Sequence, residues 1–186
     1  MIDIETLGIE RGSVLLSIGA CQWNPADGIV DTFYTEIDSS SCQQVGLSVD
    51  EDTLEWWQNQ SGDHKPLNGS TPLSAALKQL AAFVEGADEV WAHSPSFDLA
   101  HLEYCYDIFE IDPPWTYTEK RDSRTIAALP IAAARDHTGR EHHALDDAVH
   151  QAQLVAATLQ RLQSPKTSDT DPDEEIVTDG GPLSRG

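Results

Sequence analysis

Paired strands, then helices, then a further strand and more helices make this chain an α/β domain with a mixed central β-sheet flanked by helices. Three observations carry that expectation. Near the N-terminus, two segments rich in apolar and β-branched residues are separated by turn formers. Further along, apolar residues recur at steps of three and four, and a short apolar segment sits between two of those helical stretches.

The elements follow in order. Met1–Ile4 reads as the end of a strand beside a β-hairpin. The hairpin arms are 13–23 (SVLLSIGACQW) and 29–37 (IVDTFYTEI), and residues 24–28 (NPADG) turn the chain between them. Residues 48–60 (SVDEDTLEWWQNQ) open on Ser48 as a cap and place Leu54 and Trp57 at helical spacing. Residues 72–85 carry Leu73, Leu77, Leu80 and either Phe83 or Val84 on one stripe. A strand is expected over 89–93, and a helix over 97–109 with Leu99, Leu102 and Tyr106 inward. The longest helix is expected from Ala144 to Gln163, where Leu145, Ala148, Val149, Ala152, Val155, Leu159 and Leu162 make one apolar face. Residues 164–186, rich in Asp, Ser, Thr, Pro and Gly, have no periodicity and read as an acidic, disordered tail behind a single domain over 1–163.

At 186 residues with 39% hydrophobic content, the chain can bury one sizeable core. No apolar run approaches the roughly 18 to 20 residues that span a bilayer, so no membrane association is expected. Cys21, Cys42 and Cys105 form no CxxC pair, which suits reduced thiols in a cytoplasmic protein. The charge is unusual: 32 acidic against 11 basic residues give a net of −21. The tail contributes −4 (six acidic, two basic), which leaves −17 on the rest. Nucleic-acid modules ordinarily spend Lys and Arg on phosphates. With only four Lys and seven Arg, a nucleic-acid partner here requires metal ions to supply positive charge at the site.

Such ions have candidate ligands. Asp3 and Glu5 at i and i+2 on a strand project from the same face. Asp98 follows a strand-to-helix turn, and Asp147 lies one turn inside the last helix. Hard carboxylate oxygens suit Mg²⁺ or Mn²⁺, and two such ions about 4 Å apart stabilise both the attacking and the leaving oxygen of a phosphodiester displacement. Taken singly, Asp3-x-Glu5 also reads as an exposed pair, Asp98 as a helix cap, and Asp146 and Asp147 as charges favoured near a helix N-terminus. The ordered set points to a site.

DIET at Asp3–Thr6, Phe97-Asp98 and HHALDDA at His142–Ala148 resemble the three motifs of the DEDDh exonucleases. Residues 52–58 (DTLEWWQ) and 121–126 (RDSRTI) are similar to the phage and bacterial branch of exodeoxyribonuclease VIII-like enzymes and small 3′-5′ exoribonucleases. The resemblance covers roughly residues 1–162 and excludes the tail. It implies an RNase H-like fold and hydrolysis of single-stranded DNA or RNA from the 3′ end, releasing nucleoside 5′-monophosphates with two Mg²⁺ or Mn²⁺ ions. By motif position, Asp3, Glu5, Asp98 and Asp147 become the metal ligands and His142 the general base. A histidine titrating near 6.5 suits that task at neutral pH. His143 is the rival base, placed beside Asp147 by its i to i+4 spacing. The resemblance also lets Glu5 touch the terminal 3′-hydroxyl and carries Thr6 and Leu7 into the nucleotide pocket. Ser94 stands where an Asn commonly follows the histidine of the second motif.

Of the adjacent Trp56 and Trp57, about 100° apart on a helix, one is expected in the core and one facing the cleft as a base-stacking surface. Trp57 is expected with Thr6 and Leu7 among the substrate contacts. Arg121 and Arg124, at i and i+3, are among the few cations available for phosphates, a salt bridge to nearby acidic groups being the equal alternative. His93, His101, His137 and His150 read as ordinary helix or loop residues. A homodimer is compatible with this reading. Two rivals stand beside the enzyme: a catalytically silent nucleic-acid- or protein-binding module on the same fold, and an acidic metal-binding protein without hydrolytic action. The second lacks the contiguous D-x-D-x-D-G loop expected of it.

Overall fold

The computed structural model describes residues 1–61, 65–134, 136, 137 and 139–163; the tail lies outside the described residues. Strand β1 (Ile2–Thr6) pairs antiparallel with β2 (Leu15–Asn24), which pairs antiparallel with β3 (Gly28–Glu36). Helices α1 (Ser39–Gln44), α2 (Glu51–Asn59) and α3 (Leu73–Val84) follow. Then come β4 (Val90–Ala92), α4 (Asp98–Ile108), β5 (Lys120–Asp122), α5 (Ser123–Ala127) and α6 (Ala144–Gln163). β4 and β5 pair in parallel and β4 also borders β1, so the expected mixed sheet exists as two hydrogen-bonded pieces side by side. Among the described residues no helix is long and apolar enough to cross a membrane.

β2 is the central strand: Leu15 to Cys21 is an unbroken buried run, as a strand covered on both faces requires. Asn24 makes the hairpin turn, its side-chain oxygen accepting from the backbone N–H of Ala26 (2.9 Å) and Asp27 (2.8 Å). Helix α2 is capped by Asp50, which accepts from Thr53 N at 2.8 Å; Ser48, the expected cap, lies two residues too early. In α3 the stripe continues to Val84 rather than Phe83. In α4, Leu99, Leu102 and Tyr106 face inward as expected.

Helix α6 crosses β2 and β1. Its buried residues are Ala144, Ala148, Ala152, Val155 and Thr158, a narrower and smaller stripe than the expected leucine face, and Leu162 is exposed. Small side chains let the backbones approach closely. A Cβ on Gly19 would lie 2.1 Å from the backbone N of Leu145 and 2.2 Å from the carbonyl carbon of Ala144. Gly19 also pairs with Asp3 in the ladder. One glycine therefore sets the distance between β1 and the helix that carries Asp147. Gly19→Ala is expected to cost at least the roughly 1–3 kcal/mol typical of overpacking, because backbone rather than a flexible side chain would have to move. Thermal unfolding of the variant in EDTA checks this.

Candidate active site

β1 alternates buried and half-buried residues, with Ile2 and Ile4 in the core and Asp3 and Glu5 on the other face. The ladder holds Asp3 opposite Gly19 and Glu5 opposite Ser17, and the register shifts at Thr6 as the chain leaves the strand. Helix α6 brings Asp147 to the same place: ligand oxygens of Asp3, Glu5 and Asp147 all lie within 4.8 Å of one another. Asp98, at the first residue of α4 and only 4% exposed, stands outside that group of three but near enough for its charge to act on Asp3 and Glu5. It is not the cap of its helix. Its Oδ2 accepts instead from the backbone N–H of Ser94 at 3.4 Å, while Ser94 Oγ turns to Ser96 Oγ at 3.0 Å.

The electrostatics are those of a crowded cluster. Burial, then the charges of Asp98 and Glu5, hold the Asp3 carboxyl well above the usual range. Burial, then Asp147 and Asp98, push Glu5 up to about 8. Burial pushes Asp98 up to about 7, against the backbone N–H groups of Ser94, Asp98 and Ile4. The described residues place no Lys or Arg within ion-pair distance of Asp3 or Glu5. Half-buried carboxylates with no Lys or Arg on Asp3 or Glu5, all hard oxygen donors and close enough to share an ion, fit Mg²⁺ or Mn²⁺.

His142 and His143 part company. His142 is exposed and holds a left-handed backbone (φ 57°) where the chain enters α6, with its ring edge-on to Trp56 at 4.9 Å. His143 is 3% exposed, stacks on Tyr34 at 4.4 Å and accepts from the Arg140 guanidinium at 2.8 Å. The expected neighbour of Asp147 is thus turned away from it. The histidine on Asp147 is His137, whose Nε2 lies 2.7 Å from Asp147 Oδ1. His137, expected as an ordinary helix or loop residue, lies ten positions upstream in a loop, a separation that carries no spacing signal. Gln151, which donates to Asp3 Oδ1 at 2.9 Å, was legible: it lies at i+4 from Asp147 on the same helix face.

Two expected substrate contacts need correction. Trp57 is 2% exposed and its indole N–H donates to the Thr6 carbonyl at 3.0 Å, so it braces the end of β1 and has no open face. Trp56, 41% exposed, is the member of the pair that faces outward. Arg121 is held by Glu89 at 2.9 Å and by the Thr118 and Lys120 carbonyls, at the far end of β4 from Asp98. The cation whose charge reaches Asp98 is Arg124. Thr6 and Leu7 directly follow the cluster but are 8% and 4% exposed, and Thr6 Oγ1 donates to Gly8 O. The carboxylates lie outside the cavity of about 490 Å³ that Met1, Trp23, Phe83 and Trp91 line at the other end of β1.

An antiparallel three-stranded sheet with a parallel pair beside it, and acidic residues of β1 and α6 brought together at one end, make an exonuclease domain of the RNase H-like type, as the family match bears out. The family model that matches is that of the Rv2179c-like 3′-5′ exoribonuclease domain, over residues 1–159. The chain belongs to this family. No curated protein and no solved structure matches it.

Proposed function

We propose that the protein is a metal-dependent 3′-5′ exonuclease of the DEDDh type, acting on single-stranded nucleic acid and releasing nucleoside 5′-monophosphates. The observation that carries the reading is the approach of Asp3, Glu5 and Asp147 to within 4.8 Å, with buried Asp98 near enough for its charge to act on Asp3 and Glu5. The family's exoribonuclease character favours RNA over DNA as substrate.

Asp3, Glu5, Asp98 and Asp147 are the residues that would hold two Mg²⁺ or Mn²⁺ ions. When bound, these ions offset the charge that develops on the attacking and leaving oxygens and draw phosphate to an acidic surface. The chain's own groups do the rest. His142, exposed where the chain enters α6 and edge-on to Trp56, accepts the proton of the attacking water. The water oxygen bonds to phosphorus as the bond between phosphorus and the 3′-oxygen breaks; the phosphate leaves with the terminal nucleotide, and the 3′-oxygen stays on the shortened strand and takes a proton from solvent. Trp56 offers a flat face for a base, which stacking holds regardless of sequence.

Matched single-stranded RNA and DNA, labelled at the 5′ end and incubated with Mn²⁺ or Mg²⁺, test this. The expected result is a ladder of shortened strands that keep the label, with nucleoside 5′-monophosphates released, RNA consumed faster, and no reaction in EDTA. Shortening from the 5′ end, or equal activity in EDTA, overturns the reading. Binding of either strand without cleavage favours a silent module.

A further inference from the structure

Helix α6 carries Gln151 one turn beyond Asp147 on the same face. Its Nε2 donates to Asp3 Oδ1 at 2.9 Å, and its Oε1 is buried with no partner among the described residues. Buried acceptors are almost always paired, so an orphan beside a cluster of candidate ligands points to a donor that arrives from outside. The two ends of the amide are not interchangeable here. With a cation on Asp3 its carboxylate can only accept, which keeps Nε2 on Asp3 and leaves Oε1 as the free end of the amide.

Docking of α6 does not call for this residue. Ala144, Ala148 and Ala152 make the close contact with the sheet, and Gln151 itself is only half-buried. We propose that Gln151 is a positioning residue of the metal site: it occupies one oxygen of Asp3 so that the other is presented to the cation, and its carbonyl receives a water that the cation brings with it. Mg²⁺ and Mn²⁺ keep part of their hydration shell when bound by few carboxylates, which supplies such a donor. The inference rests on the metal-dependent reading above.

Gln151→Met in the full chain, with Mn²⁺ binding followed by the electron paramagnetic resonance of the free ion and melting followed in EDTA, tests it. Methionine keeps the length and removes both hydrogen-bonding ends. The expected result is Mn²⁺ affinity weakened by about 10- to 100-fold, the usual effect of losing a group that orients a ligand. Melting in EDTA should stay at the wild-type temperature. Gln151→Asn, which keeps the amide but draws it back by one methylene, should show the same loss and stands in if the methionine variant fails to fold. Wild-type affinity in both variants, or a fall in melting temperature with affinity unchanged, overturns the role of Gln151 alone. A wild-type protein that binds no Mn²⁺ overturns the metal-dependent reading and the role of Gln151 with it.

Discussion

Replacing His142 by alanine is expected to slow strand shortening by about 10²- to 10⁴-fold, the range of losing a general base, while Mn²⁺ still binds and the melting temperature hardly changes. His142 is exposed and outside the carboxylate cluster, so its loss removes proton transfer and little packing. Its left-handed backbone, φ 57°, is a conformation alanine tolerates less well than histidine, and the small strain falls at the entrance to α6 rather than in the core. His143→Ala should behave in the opposite way. The ring is buried, stacked on Tyr34 and bonded to Arg140, with Nδ1 3.3 Å from the Asp146 carboxylate. Its removal should cost roughly 2–5 kcal/mol, as large-to-small core substitutions do. Activity per folded molecule should remain within an order of magnitude. Single-turnover rates at saturating Mn²⁺, paired with melting curves, separate the two. A dead His143→Ala that melts normally, with His142→Ala active, would shift the assignment of the base by one residue.

The contrast between these neighbours shows what a sequence of this kind makes legible. Elements with long periodic signals, such as α3, α4 and α6, stand where their apolar spacing places them, because burial of one face decides a helix. The carboxylates on β1 were legible for a related reason: alternation in a strand fixes which residues share a face. Elements formed by context were not. β5 is Lys-Arg-Asp, three charged residues that become a strand only because β4 offers a parallel edge. Helix α1, Ser-Ser-Ser-Cys-Gln-Gln, has no stripe and depends on the Asp38 cap and on buried Cys42. The direction in which a side chain turns also depends on context. Nothing in His142-His143 says which ring meets Tyr34, and nothing in Trp56-Trp57 says which indole reaches the Thr6 carbonyl.

Asp3→Asn should lower the rate by about three orders of magnitude and yet stabilise the metal-free protein. The first effect follows from the several kcal/mol of charge stabilisation that a cation supplies, at about 1.4 kcal/mol per factor of ten. The second follows from the sign of the shifts. Glu5 is raised to about 8 and Asp98 to about 7, and Asp3 stands well above its usual value, each chiefly by burial. The unfolded chain releases these protons near pH 4, whereas the folded protein keeps them until its own higher values are passed. Between about pH 4 and pH 8 the folded state therefore binds more protons than the unfolded one, and stability falls as pH rises through that window. Melting in EDTA should accordingly drop from about pH 5.5 to about pH 8.5. Saturating Mn²⁺ should reverse the trend, because the ion binds the ionised carboxylates of the folded state alone and its contribution grows as protons leave. Asparagine at position 3 can still accept from Gln151 but carries no charge, so the variant should melt above the wild type in EDTA at high pH, show a flatter pH slope, and gain little from Mn²⁺. The net charge of −21 also weakens the fold as pH rises, but one substitution leaves that background almost intact, so the difference in slope reports the cluster itself. A variant whose slope and Mn²⁺ response match the wild type would remove Asp3 from the site.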